Sequence, residues 1–227
     1  MAILEARNVT KIYETRGVET PALRGVSLVV EPGEFSALAG PSGSGKTTLL
    51  NLFGALDAPT SGEVFLEGQR LGDLSATELA ELRLHKLGFV FQAYNLIPVL
   101  SARENVEFVM ELQAVPAAER RERAEKLLAE VGLADLSDKR PLEMSGGQQQ
   151  RVAVARAIAS GPRIVLADEP TANLDSTTAG HLLDLMHRMN REHGVTFLFS
   201  THDSLVIDKA TRVVRLLDGR IAQDERR

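Results

Sequence analysis

The sequence predicts an α/β fold in which a core of alternating strands and helices is interrupted by a helical lobe. Three observations carry this. Short β-type runs separated by turns fill the first third of the chain. Residues 75–160 read mostly as helices, and the last third returns to strand–helix alternation.

Taken in order, "LEARNV", "LRGVSLVV" and "EFSALAG" read as strands, with Glu31-Pro32-Gly33-Glu34 as a turn between the last two. A glycine-rich loop follows Ala39, and the apolar run 48–56 suits a buried helix. "GEVFLEG" is a further strand bounded by glycines. Ser75-x-x-Glu78 and Ser101-x-x-Glu104 both fit the capping box, in which serine caps a helix and glutamate reaches back. Pro116 opens a third helical stretch, 117–131, which Gly132 closes. Within this helical region only "GFVF" reads as a strand. "RIVLA" is nearly all apolar, as a strand buried on both faces must be. Leu182, Leu185, Met186 and Met189 then line one side of a helix at spacings of three and four, and "VTFLFS" and "RVVRLL" are two more strands.

Composition sets limits on function. The 227 residues suffice for one substantial core, or for a core with a smaller lobe. Hydrophobic residues make up 44% and charged ones 25%, ordinary for a globular protein in water. The net charge of −5 disfavours non-specific attraction to nucleic acid, and no such partner is expected. The basic run Arg120-Arg121-Glu122-Arg123 is flanked by Glu119 and Glu125, as on a solvated helix face. With no cysteine, disulfides, thiol catalysis and thiolate metal sites are excluded. The opening "MAILEARNVTKIYE" lacks the long apolar core of a secretory signal. The longest uncharged run, 87–102, has 16 residues and includes Gln92, Asn95 and Pro98, so it is too short and polar to span about 30 Å of hydrocarbon.

The chemistry starts at Gly40-Pro41-Ser42-Gly43-Ser44-Gly45-Lys46-Thr47, which matches G-x-x-x-x-G-K-[S/T] between an expected strand and an expected helix. Its glycines let backbone amides turn inward as a nest for phosphate oxygens. Lys46 offers a point charge to the outer phosphates and Thr47 a hydroxyl to Mg²⁺. Asp168 and Glu169 lie at the end of the buried strand "RIVLA", at the sheet edge where open α/β folds bind ligands. Asp168 suits Mg²⁺ through water, and Glu169 suits polarising a water for attack on the γ-phosphate. A second helix start shaped for an anion lies about a hundred residues downstream, in "LEMSGGQQQRVAVAR".

Further motifs follow in order: Tyr13, Gln92, "MSGGQ" (144–148), "NLD" (173–175) and His202. Over nearly the whole chain this set resembles the nucleotide-binding subunits of ATP-binding cassette (ABC) transporters. Met144 departs from the leucine usual at the signature's start, and Ala172 stands where close relatives often have glycine; neither touches a phosphate- or metal-contacting position.

The resemblance implies a P-loop NTPase core of RecA-like type with an antiparallel β subdomain and an inserted α-helical subdomain. It implies one domain over 1–227, with 1–91 and 162–227 as core and 92–161 as the helical, signature-bearing part. ATP and Mg²⁺ are the implied cofactors. Catalytic roles fall to Glu169, His202, Lys46 and Gln92, and Mg²⁺ contacts to Thr47, Gln92 and Asp168. Tyr13 stacks on adenine in this reading, and Thr48 and Asp175 join residues 40–47 at the nucleotide. Ser145, Gly146, Gly147 and Gln148 serve the nucleotide of a second copy, head to tail. Two phosphate-shaped helix starts therefore serve two different nucleotides, and ATP drives a homodimer.

"FVFQAYNLIPVLSARENV" resembles the lipoprotein-release and macrolide-export branch, whose ATPases pair with integral membrane permeases. It implies docking of the permease near Tyr94, Asn95, Leu96, Ile97, Pro98, Val99 and Leu100, with about two of the five large apolar side chains turned inward. The implied location is cytoplasmic, peripheral on the inner membrane's cytoplasmic face. No guanine-reading N-K-x-D segment is present, and a kinase needs neither "SGGQ" nor Glu169 beside Asp168. The alternative left open is a regulatory or mechanical cassette without transport, as in cell-division complexes.

Overall fold

The computed structural model describes residues 1–15 and 17–227. The chain begins with two long strands, β1 (Leu4–Thr15) and β2 (Val18–Val30), then β3 (Phe35–Ala39), helix α1 (Lys46–Phe53), β4 (Ser61–Leu66) and the two-residue β5 (Gln69–Arg70). Helix α2 (Ala76–Lys86) and β6 (Leu87–Val90) precede α3 (Ala102–Leu112), α4 (Ala117–Glu130) and α5 (Gly146–Ala159). The chain closes with β7 (Ile164–Asp168), α6 (Ser176–His193), β8 (Thr196–Thr201), α7 (Ser204–Lys209), β9 (Arg212–Leu217) and β10 (Arg220–Arg226).

Local chemistry sets many of these bounds. Ser75 and Ser101 form complete capping boxes with Glu78 and Glu104, satisfying amides that a helix start leaves free. Ser145 and Gln148 form a third at α5. Helix α1 starts at Lys46, two residues earlier than the apolar run indicates, because the glycine loop itself turns the chain into the helix. It ends at Gly54 and at Ala55, which takes a left-handed φ of 52°.

Two sheets form. One is antiparallel, in the order β2-β1-β4-β5; the other has six strands in the order β10-β9-β3-β8-β7-β6. In the second, β9, β3, β8, β7 and β6 run parallel and only β10 is antiparallel. Side chains of its central strands alternate between two cores, the period-two signature of a strand covered on both faces. Leu38, Ile164, Leu166 and Leu198 pack toward α1 and the antiparallel sheet. Ala37, Val165, Ala167, Phe197 and Phe199 pack toward α5, α6 and α7. Helices α3 and α4 share this second core through Val106, Met110, Ala124 and Leu128. Met144 is buried there too, so the leucine-to-methionine departure is absorbed by packing. The fold is thus a P-loop α/β core with an antiparallel β part and an inserted helical part.

Three elements lie beyond what the pattern indicated: β5, α7 and β10. The last is an edge strand with only Ile221 partly buried, so it carries no apolar alternation. Its signal is the turn Asp218-Gly219, where φ is 48° and 76°, the left-handed pair a tight hairpin requires.

Candidate functional site

Strand order decides the site. In the parallel sheet β3, β8 and β7 are neighbours, so the loops at their carboxyl ends converge: residues 40–45 after β3, His202 after β8, and Glu169 after β7. Ala39 is in register with Thr201, and Asp168 with Ser200. Three segments far apart in sequence thereby meet at one edge.

The glycine loop is built for an anion. A Cβ on Gly40 would lie 2.3 Å from Leu216 O, so only glycine lets the loop close over β9. Gly45, at φ 101°, occupies the cap position of α1 and offers no capping side chain, leaving the helix's first amides unpaired. Lys46 is 7% exposed, and its Nζ donates to Gly40 O (2.8 Å) and Pro41 O (3.0 Å). The buried Ser44 hydroxyl has no hydrogen-bond partner. A buried ammonium held only by carbonyls, beside an orphaned hydroxyl and free helix amides, fits phosphate.

Next to it, Thr47 Oγ1 donates to Asp168 Oδ1 at 3.0 Å. Two hard oxygens at this spot suit Mg²⁺. No cluster of three or more acidic or histidine side chains able to hold a metal occurs among the described residues.

Glu169 has a left-handed φ of 46°. Its amide donates to Ser200 O at 2.9 Å, and its carboxylate meets Thr201 Oγ1 at 3.3 Å and His202 Nδ1 at 2.8 Å. Asp203, behind them, accepts from Thr171 Oγ1 at 2.6 Å and fixes the turn after β8 to the turn after β7.

Tyr13 stands on β1 with its ring partly exposed. Its hydroxyl donates to Asp57 Oδ2 at 3.0 Å, and Lys11 Nζ sits 4.9 Å from the ring centroid on one face. Burial pushes the phenol's pKa up, and the bond to Asp57 adds to that. The side chain is pinned while its ring remains accessible, as a stacking platform must be. Thr48 is half-buried in the first turn of α1.

The signature residues stand apart. Ser145 Oγ accepts from Gln148 N at 3.3 Å and Gln148 Oε1 from Ser145 N at 2.8 Å, so both side chains cap α5. Among the described residues no hydrogen bond joins residues 145–148 to residues 40–48 of the same chain. Gly146 and Gly147 are packed from behind: a Cβ would lie 2.7 Å from Tyr94 Oη on the first and 2.5 Å from Thr178 Cγ2 on the second. Asp175 caps α6, accepting from Thr177 N, Thr178 N and Thr178 Oγ1. The Thr178 hydroxyl and those amides hold its carboxyl below the usual range. Gln92 is exposed, and its carbonyl accepts from Asn173 Nδ2 at 2.9 Å.

Of the apolar residues 94–100, Val99 alone is widely exposed, at 70%. Tyr94, Leu96, Ile97 and Leu100 are half-buried, and Leu96 packs against the helical core. Fewer than expected face outward. Asn105 explains it: fully buried, it donates to Ile97 O, Leu100 O and Ser101 O and accepts from Ile97 N, drawing the loop onto α3. Sequence reading passed over Asn105, since one amide inside an amphipathic helix carries no pattern.

A glycine loop after one parallel strand, with carboxylates ending the next strand but one, defines a P-loop nucleotide-binding protein. The chain belongs to the ABC transporter family, whose model matches residues 23–172. It is 47% identical over 222 residues to the lipoprotein-releasing system ATP-binding protein LolD 1 of Rhodopseudomonas palustris, covering 97% of this chain and 98% of that one. It is 47% identical over 221 residues to the macrolide export ATP-binding/permease protein MacB of Syntrophobacter fumaroxidans, covering 96% of this chain and 31% of that one. Among solved structures, a dimeric ATP-binding cassette in a post-hydrolysis state bound to ADP and Pi superposes with a TM-score of 0.91 at 43% identity, covering 98% of each chain.

Proposed function

We propose that this chain is the ATP-hydrolysing subunit of a membrane transporter of the lipoprotein-release or macrolide-export type, acting as an ATP-dependent homodimer. The observation that carries the reading is the 3.0 Å contact of Thr47 with Asp168 beside the buried, carboxylate-free Lys46. A cation-binding pair of oxygens and a phosphate nest meet at one point.

Lys46 and the first amides of α1 hold the outer phosphates; Tyr13 stacks on the base. Thr47, Asp168 and Gln92 would hold Mg²⁺, which would supply positive charge against the phosphates. Glu169 accepts a proton from the attacking water, and its backbone and carboxylate are held in place by Ser200, Thr201 and His202. His202 keeps Nδ1 toward Glu169, so its other ring nitrogen is the one that would meet the γ-phosphate. Ser145 and the amides of Gly146 and Gly147 complete the nucleotide site of the second copy, with Gln148 and Asp175 as the caps that shape those turns. Charge between two helix starts then holds the dimer.

The permease docks beside residues 94–100, with Val99 as its exposed apolar contact. No helix among the described residues is long and apolar enough to cross a membrane, so association with the membrane's cytoplasmic face runs through that partner.

The test is light scattering of purified Glu169→Gln with and without ATP. A doubling of mass supports the reading. No mass change, together with no nucleotide-dependent hydrolysis by the wild type, overturns it.

A further inference from the structure

The loop that carries Gln92 is gripped carbonyl by carbonyl. Gln150 Nε2 donates to Phe91 O (3.4 Å) and Pro170 O (2.8 Å), and Asn173 Nδ2 donates to Gln92 O. Arg156 donates from its two terminal nitrogens to Tyr94 O (3.0 Å) and Asn95 O (2.5 Å). Surface loops ordinarily leave such carbonyls to water.

Three features set Arg156 apart. It is half-buried, and burial lowers its pKa with no carboxylate opposing the effect, so its charge is met by carbonyl dipoles alone. The residues it holds are both left-handed: Tyr94 and Asn95 have φ of 59° and 51°, a conformation that asparagine tolerates and that a tyrosine keeps only where surroundings over-determine it. Finally, Arg156 and Ser145 lie on one uninterrupted helix, eleven residues or roughly 16 Å apart. At the far end of α5 the Tyr94 hydroxyl fills the space beside Gly146. The loop thus meets both ends of the helix that presents Ser145, by hydrogen bonds at Arg156 and by packing at Gly146.

We infer that Arg156 is a positioning residue that locks the Gln92 loop to α5, so that a shift of Gln92 at one nucleotide moves Ser145 at the other. The inference rests on the two-site reading of the preceding subsection. Forked donation to two successive carbonyls needs a planar guanidinium; a lysine ammonium is a single point charge. A helix hydrogen-bonded to the loop at one end and packed against it at the other transmits a displacement that a loosely attached loop would absorb.

The experiment uses Arg156→Lys, with Arg156→Ala beside it, in the full chain. Amide hydrogen exchange is read on the nucleotide-free protein at residues 91–96 and 145–149; ADP affinity, thermal midpoint and the ATP dependence of hydrolysis are read in parallel. The expected result for Arg156→Lys is faster exchange in both segments at wild-type thermal midpoint and ADP affinity. Its kcat falls about tenfold with KM little changed, and its Hill coefficient drops toward about 1. Wild-type exchange and kinetics overturn the inference. So does faster exchange confined to 91–96 with cooperativity intact, and so does a loss of kcat matched by losses of thermal midpoint and ADP affinity. If the wild type hydrolyses no ATP, the two-site reading fails separately, while the exchange data still decide whether Arg156 joins the two segments.

Discussion

His202 Nδ1 lies 2.8 Å from Glu169 Oε1, so residues that end adjacent parallel strands close on each other at the mouth of the site. An ionised carboxylate can only accept, which assigns the shared proton to Nδ1. Two consequences follow for Glu169: its carboxylate is aimed, and both its oxygens already have partners, His202 on Oε1 and Thr201 on Oε2, before any water arrives.

Glu169→Gln replaces an acceptor by an amide of the same shape. ATP binding is expected to persist while kcat falls by about 10³, the range for loss of a general base. Stopped-flow nucleotide binding and steady-state phosphate release check the split. Hydrolysis near the wild-type rate would remove Glu169 from the base role.

Asp168→Asn keeps the hydrogen bond from Thr47 but removes the charge facing the cation. The Mg²⁺ concentration for half-maximal hydrolysis is expected to rise about tenfold or more. A Mg²⁺ titration at saturating ATP measures it, and an unchanged midpoint would place the cation elsewhere.

Arg212 joins the start of β9 to the end of β10 and the turn before β3. Its guanidinium meets Asp224 at 2.8 and 2.7 Å, Glu34 at 3.0 Å and Val29 O at 2.7 Å. Arg212→Ala removes the buried partner of Glu34, whose side chain is 12% exposed and which keeps Arg226 at 3.0 Å and the Ser36 hydroxyl at 2.8 Å, and is expected to cost about 2 kcal/mol. Asp224 is 38% exposed and screened, so it contributes the smaller share. The bonds from Arg212 hold the Asp224 carboxyl below its ordinary 3.8. A depressed folded pKa means stability present above that ordinary value and lost as pH falls through the folded one. Urea unfolding from pH 6 down to pH 3 should show wild-type stability falling below about pH 4, with a shallower fall in Arg212→Ala. Equal slopes would contradict the assignment.

Val99→Asp places a charge on the most exposed large apolar side chain of the loop after Gln92. Hydrolysis and thermal midpoint of the isolated chain are expected to stay near wild type, while co-purification with the membrane permease is lost. Leu96→Asp is expected to lower the thermal midpoint instead, because Leu96 is partly buried against the helical core. A complex that survives Val99→Asp removes this loop from the interface.

Much of this protein is local and therefore legible in the chain. The Lys46 loop, the carboxylates ending "RIVLA", and the Ser75 and Ser101 caps each depend on residues within a few positions of one another. The period-two alternation of Leu38, Ile164, Leu166 and Leu198 against their neighbours was already written as near-continuous apolar runs. Strand order is another matter. That β3 lies beside β8, and β8 beside β7, is decided by packing of whole layers, and only this brings Thr47 to Asp168 across 121 residues. The same holds for β10, whose polar sequence becomes a strand because β9 offers it an edge. It holds for Leu96 and Ile97, drawn inward by the buried amide of Asn105. Arg156 is the clearest case. Its partners are backbone carbonyls, which every residue possesses, so no side-chain pattern could announce them; their position exists only once the chain has folded.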